Sequence, residues 1–142
     1  MEKPGKYRLA HAEVTSAIIG CFFEVYRELG YGFSEAVYRR ALGIVIRAAG
    51  LNVTEEVPLN VRFRSEVIGR FYADLIVDGV VLVEIKAAAH LESYAVAQLL
   101  NYLKAAGGGV GLLLNFGREP TFKRRVLGST NPSLPAFDAR RR

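Results

Sequence analysis

One stretch in the middle of the chain, Phe71-Tyr-Ala-Asp-Leu-Ile-Val-Asp-Gly-Val-Val-Leu-Val-Glu-Ile-Lys-Ala87, limits the fold more than any other. Aliphatic and aromatic residues on both sides of Asp78-Gly79 predict two antiparallel strands joined there, at the strongest short hairpin signal in the sequence. Asp74, Glu84 and Lys86 interrupt strands that are otherwise apolar enough to be buried. Charge in such a place is costly unless paired or bound to a metal, which makes these three residues candidates for chemistry.

Alternation along a strand puts Glu84 and Lys86 on one face. The position of Asp74 depends on the turn. A two-residue loop of Asp78 and Gly79 opposes Asp74 to Val83 and sends it to the other face. A three-residue loop of Val77, Asp78 and Gly79, with the glycine left-handed, opposes Ile76 to Val80 and Asp74 to Leu82, and all three charged groups then share a face. Two carboxylates held close repel, and one takes up a proton unless a cation lies between them. Their oxygens suit a hard divalent ion, Mg²⁺ or Mn²⁺, that keeps room for phosphate. Lys86 is then placed to orient an attacking water or to neutralise transition-state charge. The competing account is a surface hairpin with a salt bridge, since short acidic and basic combinations are common.

With 142 residues the chain has length for one real core, and a single domain over 1–127 is expected, followed by a mobile basic tail over 128–142. The hydrophobic fraction of 51% fits a soluble globular protein. No apolar run approaches the roughly 20 residues of a membrane span, and no signal-peptide pattern opens the chain, so no membrane and a cytoplasmic location are expected. Cys21, the lone cysteine, reads as core. The net charge of +5 is a weak nucleic-acid signal, because Arg140, Arg141 and Arg142 supply three of it and leave 16 basic against 14 acidic side chains.

Val14, Ile18, Cys21, Phe22, Val25 and Leu29 recur at helical spacing and predict a first helix over about 10–29, stopped by Gly30. A second helix is predicted from Ser34 as N-cap to Gly50. Glu35 sits in its first turn, where the helix dipole alone accounts for it, and Tyr38 reads as a packing residue. Two strands are expected over 51–58 and 59–64, with Pro58 at an edge or a break. Val96, Leu99, Leu100 and Leu103 predict a helix over about 92–106, on which Tyr94, Gln98 and Tyr102 form a separate i, i+4, i+8 stripe. Strands over 110–115 and 121–127 follow. His11 reads as exposed, and His90 has no visible nucleophile or acidic partner.

Taken in order, Gly32-x-x-Glu35-x-x-Tyr38, Tyr72-Ala-Asp74-Leu, Val83-Glu84-Ile-Lys86-Ala, Gln98-Leu-Leu-Asn-Tyr102-Leu and Gly111-Leu-Leu-Leu-Asn-Phe-Gly117 resemble the small GxxExxY proteins of the PD-(D/E)xK nuclease superfamily. The resemblance covers about residues 15–126. It implies an α/β fold with a mixed central sheet flanked by helices. It further implies a metal site of Asp74 and Glu84, Lys86 as catalytic lysine, Glu35 as a helical acidic supplement, and Gln98 with Tyr102 near the substrate. Many members carry histidine three residues before that glutamine, where this chain has Ala95. The expected activity is Mg²⁺-dependent hydrolysis of nucleic acid, DNA above RNA. Asp74, Glu84 and the Ile85 carbonyl are the expected metal ligands. Tyr38, Tyr102, Arg39 and Arg124 are the expected substrate contacts, with Arg40, Lys123 and Arg125 as further phosphate-tracking cations. A homodimer is left open. The alternative function is a binding or regulatory module that kept the fold and lost turnover.

Overall fold

The computed structural model describes residues 11–128, so the tail from residue 129 onward lies outside the described residues. The elements run α1 (Ala12–Leu29), α2 (Glu35–Ala48), β1 (Val53–Phe63), β2 (Glu66–Val77), β3 (Val81–Lys86), α3 (Ser93–Ala105), β4 (Gly109–Phe116) and β5 (Pro120–Leu127). The five strands make one sheet in the order β1-β2-β3-β4-β5. Only β3 and β4 run parallel, so the sheet is mixed, as expected.

Helices cover both faces. Ile18, Phe22, Leu42 and Ile46 of α1 and α2 pack on Leu75, Val83, Ile85 and Leu112 on one side. Leu99 and Leu103 of α3 pack on Ile76, Leu82 and Leu113 on the other. Strand β4 lies between these layers and is buried along its whole length, which explains its unbroken apolar sequence. Gly111 brings α3 close: a Cβ there would stand 3.0 Å from Leu99 Cδ1 and 3.1 Å from Leu103 Cδ1. No described helix is long and apolar enough to cross a membrane.

Two expectations about strands are corrected. The two strands expected over 51–58 and 59–64 are one continuous β1, and of the two readings of Pro58 the edge holds and the break does not: it opposes Tyr72 in an edge strand, where a missing N–H is tolerated. Strand β2 starts at Glu66, before the predicted Phe71, because β1 and β2 form a long hairpin through Arg64 and Ser65. Both turn residues have positive φ, 50° and 70°, without the glycine or asparagine that advertises such a turn.

The β2–β3 hairpin follows neither of the two registers considered. Val77 opposes Val81, Ile76 opposes Leu82 and Leu75 opposes Val83, so the loop is Asp78, Gly79 and Val80. A tertiary bridge sets this turn: Asp78 N–H donates to the Asn52 carbonyl at 2.9 Å, and Asp78 Oδ1 accepts the Asn52 N–H at 2.8 Å. The loop still has three residues, which preserves the parity that matters for Asp74. Leu75 and Val77 join the core under α1 and α2, whereas Ala73 and Ile76 join the core under α3, so the pleat breaks at Asp74. Across from it on β1, Glu56 has φ 50° and drops out of the ladder between Glu55↔Leu75 and Val57↔Ala73. No residue is inserted there, since Glu55↔Leu75 and Val57↔Ala73 keep one register, and the register shift of this hairpin lies further out, between Val61 and Arg62.

Candidate active site

Past Leu75 and Val83 the β2–β3 ladder ends, and two carboxylates replace it. The Asp74 N–H donates to Glu84 Oε1 at 3.1 Å, and the Ile85 N–H donates to Asp74 Oδ2 at 2.7 Å. Each strand thus has a backbone amide capped by the other strand's carboxylate. In a strand the N–H and C=O of one residue leave by the same edge, so the Ile85 carbonyl also faces β2. Val83 and Ile85 are buried under α1 and α2 and Leu82 under α3, which puts Glu84 and Lys86 on the α3 side. There Lys86 Nζ donates to Gln98 Oε1 at 3.0 Å.

Electrostatically, the nearby cations Lys86 and Arg39 do not offset the burial of the two carboxylates. Burial, and then the charge of Asp74, push Glu84 up to about 8, against the pull of the Asp74 N–H and of Lys86. Asp74 is also raised by burial, with Glu35 adding to the shift and the Ile85 N–H, Arg39 and Lys86 opposing it. Among the described residues no three His, Cys, Asp or Glu side chains converge as a metal-ligand cluster. Two carboxylates and a backbone carbonyl, all hard oxygen donors, nevertheless fit Mg²⁺ or Mn²⁺, which take few protein ligands and keep water. They do not fit a zinc site built on nitrogen and sulfur.

The segment Gly32-x-x-Glu35-x-x-Tyr38 brings a third carboxylate towards this pair. Gly32 adopts φ 114°, which other residues rarely take. Ser34 Oγ accepts the Val37 N–H and caps α2, leaving Glu35 as its exposed first residue. Its charge is felt by both Asp74 and Glu84. Tyr38 anchors the segment: its ring stacks on Phe116 at 4.1 Å, and its hydroxyl donates to the Gly30 carbonyl at 2.6 Å and accepts the Phe33 N–H at 3.3 Å. Tyr38 is fully buried, which corrects its expected place among the substrate contacts. It holds the loop that presents Glu35.

Arg39 and Arg124, expected as substrate contacts, stand differently towards the carboxylate pair. One turn after Glu35, Arg39 lies 2.6 Å from Glu56, 3.8 Å from Glu55 and 3.8 Å from Asp74 Oδ1, so three carboxylates claim it. Its Nε is buried with no hydrogen-bond partner. Arg124 opposes Leu112, on the α1 side of edge strand β5, whereas the carboxylate pair lies two strands away on the α3 side. Among the further cations, Arg40 and Lys123 are exposed. Tyr102 is near the pair, since Glu84 and Asp74, after burial, raise its hydroxyl. It is largely covered, with its ring 5.1 Å from that of Phe71. Ala95 is buried on the sheet-facing side of α3 and His90 is exposed.

Two contributions escaped the sequence reading. Asn115, buried in β4, donates through Nδ2 to the Ala88 carbonyl and accepts the Ala88 N–H through Oδ1, both at 2.9 Å. This clamp fixes the backbone two residues beyond Lys86. Gly117 lies so close to the Ala88 carbonyl that no Cβ fits there. A lone amide in the apolar run Leu112–Phe116 was the available signal. For the Glu55 and Glu56 partners of Arg39 no signal existed, because they meet it only through the ladder break at Glu56.

Comparison with protein families matches residues 12–126 to a model described as the PD-(D/E)XK nuclease superfamily. No curated protein and no solved structure gives a match.

Proposed function

Since the chain belongs to the PD-(D/E)XK nuclease superfamily, we propose that it is a divalent-metal-dependent nuclease that hydrolyses phosphodiester bonds in DNA. Within the superfamily its Gly32, Glu35 and Tyr38 point to the GxxExxY group. One observation carries the proposal: Asp74 and Glu84 are locked crosswise at the end of the β2–β3 ladder, with Lys86 on the same face.

A divalent cation bound here supplies Lewis acidity towards a phosphate oxygen and lowers the pKa of a water. Asp74, Glu84 and the Ile85 carbonyl would hold it, and the fixed amides of Asp74 and Ile85 keep the two carboxylates from rotating away. Lys86, braced by Gln98, orients the attacking water and neutralises charge that grows on the phosphate as the P–O bond breaks. Glu35 adds negative charge, which strengthens cation binding.

The test is incubation of purified protein with labelled single- and double-stranded DNA and RNA in Mg²⁺, Mn²⁺ or chelator. Metal-dependent DNA cleavage that disappears in Lys86→Ala is expected. Folded protein that binds nucleic acid but never cleaves it in any metal would overturn the assignment in favour of a binding module.

A further inference from the structure

A groove of about 1130 Å³ lies between α3 and the outer half of the β1–β2 hairpin. Gln98 and Tyr102 line it, and Gln98 also braces Lys86, so the groove opens beside the carboxylate pair. Its lining includes Arg62 and Lys104 but no aspartate or glutamate. That charge balance suits a polyanion. Its aromatic lining is open to solvent: Tyr94 is 68% exposed, Phe63 57% and Phe71 40%.

Exposed aromatic rings along a cation-bearing groove suit a ligand that alternates flat apolar faces with negative charge. Nucleotides of a single strand have this character, because their base faces are free to stack on Tyr, Phe or Trp. A duplex hides those faces inside its own stack and would use only the cations. We propose that this groove binds a single strand of nucleic acid, its bases stacked on Tyr94, Phe63 and Phe71 and its phosphates near Arg62 and Lys104. The strand would then pass Gln98 on its way to Lys86. This assignment rests on the nuclease reading and narrows its substrate to single-stranded or unpaired segments.

Binding is measured by fluorescence anisotropy in chelator, so that nothing is cleaved, with a labelled 12-nucleotide DNA strand, the matching RNA strand and a blunt duplex. Single strands should bind at least tenfold tighter than the duplex. Tyr94→Ala should weaken single-strand binding by roughly 5- to 100-fold, the loss of one base stack, while Tyr94→Phe retains it and duplex binding is unchanged. The DNA and RNA arms show which strand the groove prefers. Equal affinity for duplex and strand, or a folded Tyr94→Ala variant that binds strands as the parent does, would overturn the groove assignment. So would light scattering showing self-association that Tyr94→Ala abolishes without changing strand binding, since the groove would then belong to a second copy. Tight strand binding by a protein that cleaves nothing in Mg²⁺ or Mn²⁺ sinks the nuclease reading alone, and cleavage by a protein that prefers duplex sinks the groove alone.

Discussion

Gln98 and Glu84 show how much a single residue's surroundings decide. Gln98 is half-buried, accepts a hydrogen bond from Lys86 and adds little to the core, so Gln98→Ala should lower cleavage by roughly tenfold or more while costing about 0.5 kcal/mol or less of stability. Melting temperature and cleavage rate measured side by side decide this, and a loss of activity that merely follows a loss of stability would make Gln98 structural. Glu84 is a buried carboxyl with its pKa moved from 4.5 up to about 8. The folded protein therefore holds a proton that the unfolded chain has released, and the associated stability is present below about pH 4.5 and lost as pH rises through 8. Asp74 moves in the same direction. In chelator the melting temperature should fall by roughly 5–10 °C between pH 5 and pH 8.5, and Glu84→Gln should flatten the fall. A metal-free profile that rises over this range would refute the burial argument.

Among the elements, α2 is placed by its N-terminal anchor. Tyr38→Phe keeps the stack on Phe116 and loses only the hydroxyl bridge between Gly30 and Phe33, which should cost about 1 kcal/mol. Tyr38→Ala also opens a cavity and should cost roughly 3–5 kcal/mol. If the anchor serves to present Glu35, Tyr38→Phe should slow cleavage in the parent and have little further effect in Glu35→Gln. A double-mutant cycle on cleavage rate measures this coupling. Independent losses would leave Tyr38 a packing residue. Strand β4 plays a comparable part on the other flank, where Asn115 pins Ala88 and with it the exit of β3.

At the scale of the whole molecule, cation binding should couple to stability. A divalent ion relieves the repulsion between Asp74 and Glu84, so millimolar Mg²⁺ or Mn²⁺ should raise the melting temperature, and more at pH 8.5 than at pH 5, where the ion must displace a proton. Calorimetry should show that Asp74→Asn removes most of the rise. An equal rise in that variant would place the ion elsewhere. Sequence periodicity by itself determined the helices and the shared face of Glu84 and Lys86, because these follow from local spacing that neighbouring residues enforce, whereas the mixed sheet was implied by the family resemblance. The order of motifs pointed to the family and to Glu35. Other features are set by contacts between distant segments and left no local mark. The Asn52–Asp78 bridge shifted the hairpin register, Arg64 and Ser65 turned a strand without glycine, and the ladder break at Glu56 delivered Arg39 to Asp74. For Tyr38 the local reading as a packing residue holds and the substrate contact does not, and its partner Phe116 is a matter of tertiary packing, set by how α2 lies against β4.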